Sequence, residues 1–293
     1  MTHLSKALPS TIVVLVVFLA VPVSFPKLSA ASALNSFAKY SAQGSLTPLQ
    51  FEIERQARRL GSVEAEERRD AVTRLGSMHH PAASRAALPA LHDSVAMVRA
   101  TAAAAILSLS PGESAGYLIP LLSDKDEFVR REVAFALGKT RNQSALIPLL
   151  EKLNSDKKDS VRGAAAVALG ELRNEAATLS LAEILSPGVG NTTTRLKKKS
   201  KKEKDLFLLR AAARSLGQIG SSAGLPALVT ALSDEKMPDD VRRESADALG
   251  LIGDHAAIPA LRSAEAARDP YLVEAARQAV RKIERRSKPL QGN

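Results

Sequence analysis

Apolar residues recur along this chain in two interleaved patterns, and both return at a fixed period. Val129, Val133, Ala136 and Leu137 stand at i, i+4, i+7 and i+8, which is one face of a helix. The phrase around them, Val129-Arg130-Arg131-Glu132-Val133-Ala134-Phe135-Ala136-Leu137-Gly138, returns as Val161-Arg162-Gly163-Ala164-Ala165-Ala166-Val167-Ala168-Leu169-Gly170. It returns again as Val241-Arg242-Arg243-Glu244-Ser245-Ala246-Asp247-Ala248-Leu249-Gly250. With the first Val as anchor, the equivalent positions are Glu67, Val98, Val129, Val161, Leu208, Val241 and Val273, at steps of 31, 31, 32, 47, 33 and 32 residues. The Gly after the final Leu suits a helix C-terminus closed by a left-handed residue. A second apolar stretch follows, as in Ala145-Leu146-Ile147-Pro148-Leu149-Leu150. Pro is tolerated in a first helical turn because its missing N–H would have no partner there. Each unit is therefore predicted to be two antiparallel helices, A then B. The A helices are expected to begin near Pro48, Ala82, Ser114, Gln143, Glu175, Ser222 and Ala256, and the B helices near Val63, Val95, Asp126, Lys158, Asp205, Pro238 and Pro270. Self-similarity at this period fixes the expected architecture as all-α, a right-handed α-solenoid of seven antiparallel helix pairs.

The pattern resembles the HEAT-repeat family, especially the HEAT-like repeats named for phycobilisome lyases. The Asp–x4–Val–Arg–x6–Leu–Gly phrase and the Ile/Leu-Pro of helix A carry the resemblance, which spans residues 48–286. It implies that the recurrent Arg and Asp pair between adjacent units. Arg68, Arg99, Arg130, Arg162 and Arg242 would form one side of such a ladder, and Asp93, Asp124, Asp156 and Asp234 the other. The alternative, a basic groove for nucleic acid, is disfavoured. Departures from the phrase carry their own expectations. The first unit has Glu67-Arg68, the second has Ile106-Leu107 in place of the Gly, and the fifth has Leu208-Leu209, which moves its arginine to Arg210. Pro89 and Pro120 lie four residues before the ladder Asp, so the A helices of units two and three should be short or kinked. The charged end Arg281-Lys282-Ile283-Glu284-Arg285-Arg286 suits the last helix of a stack.

Composition narrows the chemistry. The chain is 45% hydrophobic but only 3% aromatic with no Trp, which fits an Ala/Leu core and argues against a base-stacking surface. With no Cys, thiolate catalysis, disulfides and Cys-ligated metals are excluded. Residues 1–33 hold Lys6 and Lys27 and no acid, then ten unbroken apolar residues from Ile12 to Val21, then Ala31-Ser32-Ala33. This reads as a secretory signal peptide cleaved after Ala33, with an uncleaved membrane anchor as the alternative. The apolar run is shorter than the roughly 20 residues that span a bilayer. The expected location is exported: periplasm, cell surface or medium. A linker over 34–47 and a tail over 287–293 flank the solenoid.

The long step carries an insertion over 186–205 between helices A5 and B5. From Arg195 to Asp205 it holds Arg195, Lys197, Lys198, Lys199, Lys201, Lys202 and Lys204 against two acids, a net of +5 in a chain of +10. Its Gly, Pro, Ser and Thr predict a loop, either a contact for anionic lipid or another polyanion or a solvated charge run.

No catalytic constellation stands out. The HEAT-like fold also serves an iron-dependent hydroxylase whose His-Glu ligand pairs are absent, since His3, His79, His80, His92 and His255 are followed by Leu, His, Pro, Asp and Ala. Gly112-Glu113-Ser114-Ala115-Gly116 and Gly220-Ser221-Ser222-Ala223-Gly224 match a hydrolase elbow in letters, but both fall at the turn between one unit and the next. No metal and no cofactor are expected, and a relict hydroxylase or phycobilin lyase is the weaker alternative. The expected function is a non-enzymatic protein-interaction scaffold of the cell envelope with a protein partner. It would bind through the concave helix-B face at Arg131, Glu132, Arg243 and Glu244, with the basic loop as accessory contact. A peripheral membrane or polyanion binder acting through the loop is the alternative.

Overall fold

The computed structural model describes residues 47–186 and 206–287. The signal and linker readings, the basic residues Arg195 to Lys204, the Asp205 helix start and most of the tail lie outside them. The described residues form an all-α solenoid, with no strand among them. Odd-numbered helices are the A helices: α1 (Pro48–Arg59), α3 (Pro81–Ala87), α5 (Pro111–Leu118), α7 (Leu146–Ser155), α9 (Thr178–Leu185), α11 (Leu225–Ser233) and α13 (Ile258–Ala264). Even-numbered helices are the B helices: α2 (Ala65–Ser77), α4 (Ala96–Ala105), α6 (Glu127–Thr140), α8 (Asp159–Leu172), α10 (Leu206–Ile219), α12 (Asp239–Ile252) and α14 (Pro270–Ser287). No described helix is long and apolar enough to cross a membrane.

The predicted irregularity of units two and three is present. The α-helix stops at Ala87 and at Leu118, and 3₁₀ turns carry Pro89 and Pro120 (Leu88–His92 and Ile119–Ser123). A mid-helix Pro removes one hydrogen bond and clashes with the preceding turn, and the tighter winding avoids this. In later units the order reverses, with a 3₁₀ turn leading into helix A.

Each B helix packs directly on the next, while successive A helices touch lightly. Here the structure corrects the reading of the repeated Gly. Gly138, Gly170, Gly217 and Gly250 lie inside their helices, which run on to Thr140, Leu172, Ile219 and Ile252. The left-handed residues come later, at Arg141, Arg173, Gly220 and Gly253. Three of them are followed by Asn142, Asn174 or Asp254, whose side chain accepts the N–H two residues on and starts the next A segment. The buried Gly instead admits the neighbouring helix. A Cβ on Gly138 would lie 2.7 Å from Cα of Ala168, one on Gly217 2.7 Å from Cα of Ala248, and one on Gly250 2.9 Å from Cα of Ala279. The last contact also moves an anchor. Ala279 is the partner seven residues past Leu272, which is fully buried, so the seventh unit is anchored on Leu272 and not on the half-exposed Val273.

An arginine–aspartate ladder ties the turns of successive units. Arg68 donates Nε and Nη2 to Asp93 at 2.6 and 2.8 Å, and Arg99 does the same to Asp124 at 2.8 and 2.8 Å. Arg130 does so to Asp156 at 2.8 and 3.1 Å. The free Nη1 of each bonds carbonyls at the end of its own A segment, such as Asp93 and Ser94 for Arg99. Bidentate charge-assisted bonds of this kind fix geometry as well as adding stability. The Arg68 hydrogen bond holds the Asp93 carboxyl below its ordinary range. Burial pushes Asp124 and Asp156 upward, but the bonds from Arg99 and Arg130 outweigh it and both stay low.

Arg162, Arg242 and Asp234 depart from the expected ladder. Arg162 donates to the Leu153 carbonyl and Asp159, and Arg242 to the Leu232 carbonyl and Asp239. The insertion falls where a partner for Arg162 would stand. Asp234 sits seven residues before its Val241, not five, and only closes its own turn onto the Lys236 N–H. The step from unit six to unit seven is made one residue later, by Arg243 to Asp269 at 2.6 Å.

Two comparisons test these roles. Asp124→Ala strands the buried Arg99 and should lower unfolding stability by about 2–3 kcal/mol, whereas Asp234→Ala, which keeps every ladder pair, should cost under about 1 kcal/mol. Gly138→Ala should destabilise by about 1–3 kcal/mol through overpacking. Gly116→Ala meets nothing within 4 Å and should stabilise by up to about 1 kcal/mol. Urea unfolding midpoints separate the four variants. Equal shifts for Asp124 and Asp234, or a stabilising Gly138→Ala, would overturn the respective assignment.

Candidate functional site

The B helices present side chains that the fold does not use. Counting from the anchors of α6 and α12, residues two, three and six places on are half-buried, while places four, five, seven, eight and nine are buried; on α8 and α10 the third place is buried too, and on α8 so is the second. The core places repeat Val, Ala, Leu and Gly. The residues that reach the surface at places two, three and six do not repeat: Arg131, Glu132 and Phe135 on α6, Val167 on α8, Arg210 and Arg214 on α10, Arg243, Glu244 and Asp247 on α12.

The four residues expected to bind a partner lie on this face and are already engaged with their neighbours. Arg131 bonds Glu132 at 3.0 Å and lies 4.8 Å over the Phe128 ring. Arg243 is held by Asp269 and by Asp240 at 2.9 Å, and lies 5.3 Å over the Tyr271 ring. Glu244 pairs with Arg214 at 3.2 Å across the α10–α12 step.

The sequence reading missed the aromatic residues of this face. Phe128, Phe207 and Tyr271 each stand immediately before an anchor, at the first turn of α6, α10 and α14. Phe207 and Tyr271 are 41% and 72% exposed, too open for core residues. Phe135 joins them, its ring centroid 6.4 Å from that of Phe207 with planes at 56°. The signal was available in the register, and the misplaced last anchor hid Tyr271 from it.

The motif candidates resolve into turns. His79 takes a left-handed backbone, and His80 Nδ1 accepts the Ala82 N–H to start α3. Ser114 is buried and donates to the Ile106 carbonyl at 3.1 Å. No group of three or more His, Asp or Glu side chains among the described residues is placed to hold a metal.

Asp247 is half-buried between Arg214 of unit five and Lys282 of unit seven. Burial raises its carboxyl pKa, and the two cations only partly offset that. A raised carboxyl ionises at greater cost in the folded chain than in the unfolded one. The penalty is present above the folded pKa and gone below the unfolded value near 3.9. Asp247→Asn should therefore raise the melting temperature at pH 7, with the gain shrinking as pH falls toward 4. An unchanged or lower melting temperature at pH 7 would contradict the assignment.

A search of curated proteins finds no match. Among solved structures, the chain is similar to the YibA protein of E. coli at 19% identity, covering 88% of this chain and 89% of that one with a TM-score of 0.55, a likeness of fold. The complex of CpcE and CpcF of phycocyanin lyase from Nostoc matches at 21% identity over 90% and 92%, TM-score 0.48. Human deoxyhypusine hydroxylase matches at 21% over 89% and 93%, TM-score 0.39. The family described as HEAT repeats matches residues 115–189 and 199–281, more than half of the chain. With the paired helices, the glycine seam and the ladder, that match places the chain in the HEAT-repeat family.

Proposed function

We propose that this protein is a non-enzymatic interaction scaffold, working outside the cytoplasm after export through its N-terminal segment. Proteins built from such repeats typically hold other proteins. One observation carries the reading for this chain: the core of each unit repeats while the outward face of its B helix changes chemistry from one unit to the next. A constant frame with a variable face suits recognition of an extended partner surface. B helices that pack closely while A helices touch lightly favour a concave B side, so the partner is assigned to that side. Phe135, Phe207, Tyr271 and the outward arginines would set specificity. The basic stretch from Arg195 to Lys204 adds an electrostatic contact; as the main contact, it would make the protein a binder of anionic lipid or another polyanion.

Crosslinked capture in the native host tests this, with the wild-type chain beside a variant in which Lys197, Lys198, Lys199, Lys201, Lys202 and Lys204 are changed to Gln. The scaffold reading expects one protein captured by both, with weak dependence on salt. Capture that collapses in the variant, and in wild type as salt rises, would move the contact to the basic stretch.

A further inference from the structure

We propose that Phe135 and Phe207, with Val167 at the Phe135 place of the intervening α8 and Arg210 one turn on from Phe207, form a docking site for an acidic peptide segment of the partner that carries one large apolar side chain. The proposal rests on the scaffold reading and locates it on α6, α8 and α10.

The geometry begins at Gly163. The equivalent place holds Arg131 on α6, Arg210 on α10 and Arg243 on α12. On α8 it holds no side chain, and a Cβ there would clash with Cδ1 and Cε1 of the Phe207 ring. The ring thus lies on bare helix backbone and reaches across α8 to Phe135 on α6. It is fixed from below and behind yet stays 41% exposed. A rigid aromatic surface gives a partner apolar area at little ordering cost, which is why such residues anchor interfaces. A core that needed filling would have hidden the ring. Of the six aromatic side chains among the described residues, four stand on B helices, and two of those four meet here.

Charge selects the occupant. Arg210 follows Phe207 by three residues and Lys139 follows Phe135 by four, so each sits one helical turn from its ring. Both are exposed, and neither has a carboxylate or hydrogen-bond partner among the described residues. Arg131 and Arg243 on the same face are tied to Glu132 and Asp269. Two exposed cations flanking an apolar shelf, neither tied to a carboxylate among the described residues, fit a peptide with carboxylates on either side of an apolar residue. A second copy of this chain is a poor occupant, because each copy carries +10.

Selection of displayed random short peptides on the purified chain tests the site. The expected winners carry Phe, Leu or Trp flanked by Asp or Glu. Their binding should weaken about tenfold or more on Phe207→Ala and should lose its preference for acidic peptides on Arg210→Glu. Phe207→Leu should retain most of it. Circular dichroism and melting curves check that each variant folds. If Phe207→Ala does not fold, the exposed Arg210→Glu and Lys139→Glu still report. Winners indifferent to Phe207 and Arg210 would overturn the site while leaving a scaffold that binds elsewhere. No winners at all, with the capture experiment also empty, would remove both readings. Phosphatidylglycerol vesicles bound through Phe207 with no peptide enriched would replace the peptide with a lipid surface.

Discussion

Backbone-to-backbone contact between successive B helices is the constraint on which the rest depends. Gly138 meets the backbone of Ala168, Gly217 that of Ala248 and Gly250 that of Ala279, each too closely for a side chain on the glycine, while Gly170 meets the Ser215 side chain. Close-packed interiors leave no slack at such points, so the small residues fix the spacing of units. The polar ladder can form only at that spacing, because an arginine of fixed reach must bridge from one turn to the next. In the second unit the register place of the Gly is Leu107, and α4 ends at Ala105, before a leucine there would meet the next helix.

The number of helix pairs, their starts and the two broken A helices were legible in the sequence, because apolar period and proline act within one unit. Relations between units were less legible. The Gly was read as a cap because caps are local and seams are not. Nothing within one phrase says that a neighbouring helix will press on its tenth residue. The last anchor was placed on Val273 because that residue is β-branched like the others, whereas burial chooses Leu272. Arg162 and Arg242 carry the ladder motif in letters but lack an aspartate at the required offset. In the sequence the aromatics register only as a 3% share that fits an Ala/Leu core. Their scarcity in the chain is what makes their shared register informative.

The ladder shows how a repeat tolerates irregularity. Three consecutive steps are bidentate and nearly identical in length. At the insertion the step lapses, and Arg162 turns back to its own unit. At the last step the pairing slides by one residue and resumes with Arg243 and Asp269. Because each unit contacts only its neighbours, these lapses stay local and the glycine seam continues through them.

Gly163 and Phe207 lie 44 residues apart, on either side of the inserted stretch, yet they make one object, a ring and the floor it rests on. Neither residue can be exchanged alone: any side chain at 163 evicts the ring, and a small residue at 207 leaves the floor bare. A change at either position is therefore tolerated only with a matching change at the other, so between related chains the two should vary together as one unit.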